Sequence, residues 1–141
     1  MQDQERVEHR KAHWQERRNA YFALVEAHAT FVNVWYKTRL KLTKSEAAPE
    51  LLDALTDANG SVVHCRARIP LVGPDTLIAP AEALSRAVDR VALDTRQWHL
   101  IVEAGGDPPQ ELLAGIEQYV MTAKEAGTAF RMTAQKVLFP A

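Results

Sequence analysis

Several groups of residues are of the types from which chemistry is built. His9 and His13 stand four apart with Glu5 one turn before them, and on a helix the three share a face, a spacing that can hold a metal. A catalytic zinc needs three protein ligands and a structural one four. Nothing else near these residues completes such a set, and the Glu-x-x-His pairs of ferritin-like di-metal bundles do not occur. A solvated helix face with no metal is the expectation. His28 lies on an apolar stripe between Leu24 and Phe31, where an imidazole is a ligand, a proton switch or, most often, a core residue satisfied by one hydrogen bond. Cys65 is the only cysteine. It excludes an internal disulfide, suits a reducing compartment and reads as a small buried hydrophobe. Arg66 and Arg68 beside it would lower a thiol pKa only if the sulfur were exposed.

Arg6 and His13 reproduce an Arg-x6-His spacing that resembles the nuclease motif of the helical ribonucleases called HEPN domains. In that family the motif lies late in the domain, flanked by polar active-site residues; here it opens the chain and reads as a basic helix end. Arg6, Arg10, Lys11, Arg17 and Arg18 surround Trp14, a composition able to meet phosphates and stack on bases. Glu5, Glu8 and Glu16 are interleaved at spacings that favour ion pairs within one helix. Contact with nucleic acid is therefore not expected, and no helix-turn-helix or zinc-finger pattern supports it. No catalytic residue and no cofactor is assigned.

The elements that would position these side chains follow from the spacing of apolar residues. In 141 residues, enough for one core, four segments alternate apolar positions by three and four, the signature of a helix with one buried stripe. The first, over about 3–43, aligns Trp14, Tyr21, Val25, His28, Val32, Trp35 and Leu42. It also carries a second line, Phe22, Ala29 and Tyr36. The second, over about 49–68, aligns Leu51, Leu55, Ala58, Val62, Cys65 and Ile69, with a weak point expected at Asn59-Gly60 and a stop at Ile69-Pro70. The third, over about 75–103, runs from Leu77 through Trp98 to Val102, and Pro80 either sits at its start or kinks its first turn. Gly105-Gly106 is expected to cap it, and Asp107 to cap the fourth helix, over about 108–138. That last helix has a small centre, Ala123, Ala126, Gly127 and Ala129. Trp35, His28, Phe31 and Trp98 are the candidates to fill it, because interiors are close-packed.

The expected fold is all-α, an antiparallel bundle of about four helices in a single domain over 1–141 with a long first helix. Glu16-Arg17-Arg18-Asn19-Ala20-Tyr21-Phe22 and Arg68-Ile69-Pro70-Leu71-Val72-Gly73-Pro74, followed by an Ala-rich helix, resemble a group of small helical proteins from actinobacteria. That resemblance implies the bundle and offers no agreed activity or site residues.

The net charge of −1 hides an asymmetry, since residues 1–44 carry a net +4 and the remainder a net −5. The halves can attract one another, and neither a polyanion nor an acidic membrane is favoured as a partner. With no apolar leader and no spanning stretch, a cytoplasmic location is expected. The leading functional expectation is a non-enzymatic interaction or scaffold protein that self-associates through the first helix, as a homodimer or larger, or meets another protein there, with Trp14, Phe22 and Tyr36 on the contact surface. The alternative is a ligand- or metal-sensing bundle with a pocket at His28, Ala123 and Gly127.

Overall fold

A computed structural model describes residues 2–140. The described chain forms four α-helices: α1 (Gln2–Thr43), α2 (Pro49–Val72), α3 (Ile78–Glu103) and α4 (Gln110–Leu138), with a single 3-10 turn, Asp75–Leu77, leading into α3. Side-chain contacts fix the relative directions. Arg17 and Tyr21, early in α1, meet the end of α2. Ala48, just before α2, meets His99 near the end of α3. Arg39, late in α1, meets Glu117, early in α4. Each helix therefore runs antiparallel to the next, and α4 antiparallel to α1, as expected of an up-down bundle.

Two of the expected boundaries move. Helix α2 passes unbroken through Asn59-Gly60 and continues beyond Pro70 to Val72. Gly60 has ordinary helical geometry, and Ala58 and Val62 on either side of it are buried. Burial of that face outweighs the roughly 1 kcal/mol propensity cost of one glycine. Pro70 falls in the last turn, where the lost amide donor costs one bond only. The final carbonyls are taken up by α1: Arg17 Nε donates to Val72 O at 2.9 Å and the Tyr21 hydroxyl donates to Gly73 O. Gly73, at φ 58°, closes the helix with its amide on Ile69 O at 2.9 Å.

Pro80 occupies the third position of α3, within the first turn whose amides have no partner inside the helix, so it is accommodated without a kink. At the far end Gly105, at φ 77°, donates to Val102 O and Gly106 donates to Ile101 O at 2.9 Å, the paired bonds of a glycine-terminated helix. Asp107 does not cap α4; Pro109 holds the cap position and no side chain bonds the free amides there.

The core stripe of α1 shares Tyr21, Trp35 and Leu42 with the one its apolar spacing suggests but is rotated to one side of it. Ala20, Tyr21, Leu24, Ala27, Phe31, Trp35, Thr38 and Leu42 are buried, whereas Val25 and Val32 sit half-buried at the edge. Helix α3 is covered on two sides, burying Ser85, Asp94, Thr95 and His99 along with its apolar stripe. Two of these polar residues bond outside their own helix. Trp35 Nε1 lies 3.3 Å from Thr95 Oγ1, and the Ala48 amide donates to His99 Nε2 at 3.0 Å. That bond makes Nε2 an acceptor, and Glu103 Oε1 approaches Nδ1 at 2.6 Å. His99 thereby ties the loop before α2 to the end of α3.

Candidate functional site

Helix α1 has 42 residues against 24 to 29 in the others, about 63 Å at 1.5 Å per residue. Residues 2–13 are all exposed, and tertiary anchoring begins at Trp14, whose indole donates to Leu138 O at 3.0 Å while its ring meets Phe139 edge-on. His9, His13 and Glu5 lie on this overhang. Among the described residues no three His, Cys, Asp or Glu side chains are grouped to hold a metal ion. The intrahelical ion pairs expected there do not form either, since no described charged side chain before Arg39 has an opposite charge within 4.0 Å. Long exposed side chains gain little from such pairing, and water competes for it.

Beyond Trp14, the line Phe22, Ala29 and Tyr36 faces outward, with Phe22 58% and Tyr36 43% exposed. Leu40, 59% exposed, joins it. At 100° per residue these four positions fall within about 40° of one another. Trp14 lies to one side of them and is partly covered by Phe139. Leu40 escaped the sequence reading because it breaks the seven-residue step, although the helical angle would have revealed it.

The edge between α1 and α4 is the most thinly packed of the four sides of the bundle. Besides the Trp14 bond to Leu138 O at one end, two polar contacts cross it. Arg39 pairs with Glu117 at 2.9 Å, and Lys124 donates to the Tyr36 hydroxyl at 3.1 Å with its ammonium over the Tyr36 ring. They mark off three compartments. At the end of the bundle, a cleft of about 480 Å³ is walled by Arg39, Leu42, Trp98, Asp107, Leu113 and Glu117. In the middle, around Ala123, Phe31, Trp35 and Val120, the space shrinks to about 10 Å³, at the limit for one water molecule. Beyond it opens a groove of about 290 Å³, lined by Val25, His28, Ala29 and Val32 from α1, Leu84 from α3, and Lys124, Gly127, Phe130 and Arg131 from α4.

Of the residues expected around one pocket, His28 and Gly127 share this groove, while Ala123 lines the small space beside it, which His28 also borders. Trp98 does not fill the small centre of α4; it lines the distant cleft. His28 does fill it. A Cβ built on Gly127 would stand 3.1 Å from both Cε1 and Nδ1 of the imidazole, so the absence of a side chain there lets the ring lie against the helix. His28 Nε2 is buried without a partner. Burial lowers its pKa below 6.5, and the charges of Arg131 and Lys124 lower it further. Burial and both cations thus act together against protonation of the ring. Cys65 is half-buried and its pKa is raised by burial, which Arg68 only partly offsets; this thiol is not activated.

No helix of the described residues is long and apolar enough to cross a membrane. No family model, no curated protein and no solved structure matches the chain.

Proposed function

We propose that the protein is a non-enzymatic interaction or scaffold protein that self-associates through the outer face of α1. The observation that carries this reading is the exposure of Phe22, Tyr36 and Leu40 along one line of the longest helix, a face over which its own bundle lays only Lys124, at the Tyr36 ring. Aromatic residues anchor interfaces because they bury large areas with few torsions to fix. Ala29, between the two rings, lets a second backbone approach closely. A second copy presents the same strip, so a two-fold contact is self-complementary by construction.

Solution mass measured by light scattering across a range of concentrations tests the reading. The wild-type chain is expected above its 15.8 kDa monomer mass. The double variant Phe22→Ser, Tyr36→Ser is expected at the monomer mass with an unchanged helical circular dichroism spectrum. A wild-type monomer at every concentration would sink the proposal, and so would a variant that assembles like the wild type.

A further inference from the structure

The groove beside Gly127 joins features that the surface reading leaves unused. Its lining holds two cations, Lys124 and Arg131, and no acidic residue. Among the described residues neither cation has a carboxylate within 4.0 Å, although five other pairs form elsewhere in the molecule. The two stand seven residues apart on α4, on one face with Gly127 between them, and the charges of both act on the single imidazole of His28. Below them the lining is apolar: Val25, Val32, Leu84 and Phe130.

We propose that this groove binds a small amphiphilic monocarboxylate, its apolar body against Val25, Val32, Leu84 and Phe130 and its carboxylate between Lys124 and Arg131. An inorganic anion would leave the apolar floor uncovered, and a neutral hydrocarbon would gain nothing from the two exposed cations. The compartment also sets the size of the occupant. At about 290 Å³ it lies near the small end of ligand pockets, enough for a body of roughly ten heavy atoms. The Lys124 to Tyr36 bridge and the closed space around Ala123 shut one end of it. A whole helix, about 10 Å across and continuous along its axis, would run into the end that these contacts shut. The site does not depend on self-association.

Titration with octanoate below its micellar range, followed by the ring resonances of His28 in nuclear magnetic resonance, tests the assignment. It is carried out on the wild-type chain and on Phe22→Ser, so that a second copy lying over α1 cannot mask the groove. Saturable binding of one octanoate per chain is expected, moving the His28 resonances and raising the pH at which they titrate, because a bound anion offsets the two cations. The double variant Lys124→Gln, Arg131→Gln is expected to weaken binding by about tenfold or more, as loss of charge-assisted hydrogen bonds does. Octan-1-ol and octyltrimethylammonium, with matched apolar bodies, are expected to bind about tenfold or more weakly than octanoate by the same reasoning. Filling the groove with Gly127→Met, or with Ala29→Trp from its exposed side, is expected to abolish binding. The proposal is overturned by absence of saturable binding in both chains, by equal affinity for octan-1-ol or the ammonium probe, or by octanoate binding unchanged in a folded groove-filling variant.

Discussion

His28 illustrates how a backbone feature of one helix determines the chemistry of a side chain on another. Because Gly127 has no Cβ, the imidazole lies against α4, largely removed from water and beside two cations. Desolvation and both charges act in the same direction, against protonation. The consequence for stability has a definite sign. Where the folded pKa lies below the unfolded value of 6.5, the unfolded chain binds the extra proton, so stability falls as pH drops through 6.5 and levels off below the folded pKa. Chemical denaturation from pH 8 to pH 5 is expected to show this loss in the wild type and a smaller one in His28→Gln. An equal slope in the two proteins would place the proton uptake elsewhere. The location of His28 on an inward part of α1 was legible in the sequence from its neighbours Leu24 and Phe31, and the small centre of α4 from its alanines and Gly127. That His28, rather than Trp98, meets that centre was not legible, because it depends on how the helices are rotated about their axes. His99 left a weaker trace. It follows Trp98 on a helix whose single apolar stripe concealed burial on two sides, and its partner, the Ala48 amide, is remote in sequence.

At the scale of elements, apolar spacing located all four helices, and most of the misplaced features lay at ends and at glycine or proline. Intrinsic propensity is a weak prior at such places, as tertiary partners decide the outcome. Helix α2 extends past Pro70 because Arg17 and Tyr21 of α1 receive its last carbonyls, a contact that local sequence does not encode. Gly60 is the converse case. It lies in mid-helix and exposed, with open space within 4 Å of a Cβ placed on it and no positive φ to require glycine. Gly60→Ala therefore removes backbone freedom from the unfolded chain without cost in the folded one, and is expected to stabilise by about 0.5–1 kcal/mol. The thermal midpoint should rise by a few degrees, about 2–5 °C for a domain of this size. A fall in the midpoint would show that Gly60 serves a contact or a bend that the continuous helix does not display.

For the molecule as a whole, the packing is uneven in a way that orders its motions. Helix α3 is buried on two sides, α1 and α4 meet along a thin edge crossed by the Trp14 bond to Leu138 O and two exposed polar contacts, and the first turns of α1 are exposed. Exposed ion pairs are worth at most about 1 kcal/mol, so that edge relies on few buried contacts. A free helical segment of a dozen residues is marginal in water by itself. Amide hydrogen exchange of the monomer should follow this order. Amides of α3 between Val88 and Val102 are expected to exchange only through global unfolding, the α1–α4 edge around Val32 and Lys124 through smaller openings, and residues 4–12 almost as freely as unfolded chain. The same experiment at high concentration bears on self-association. A partner seated on Phe22, Tyr36 and Leu40 covers side chains at the middle of α1, and by stiffening the helix it should slow exchange toward the N-terminal turns while leaving the α3 amides, already limited by global opening, shifted only as far as assembly stabilises the fold. Strong protection of residues 4–12 in a verified monomer would contradict the solvated overhang and require a contact for it within the chain. Exchange in α1 that does not change with concentration would count against the face between Phe22 and Leu40 as the site where two copies meet.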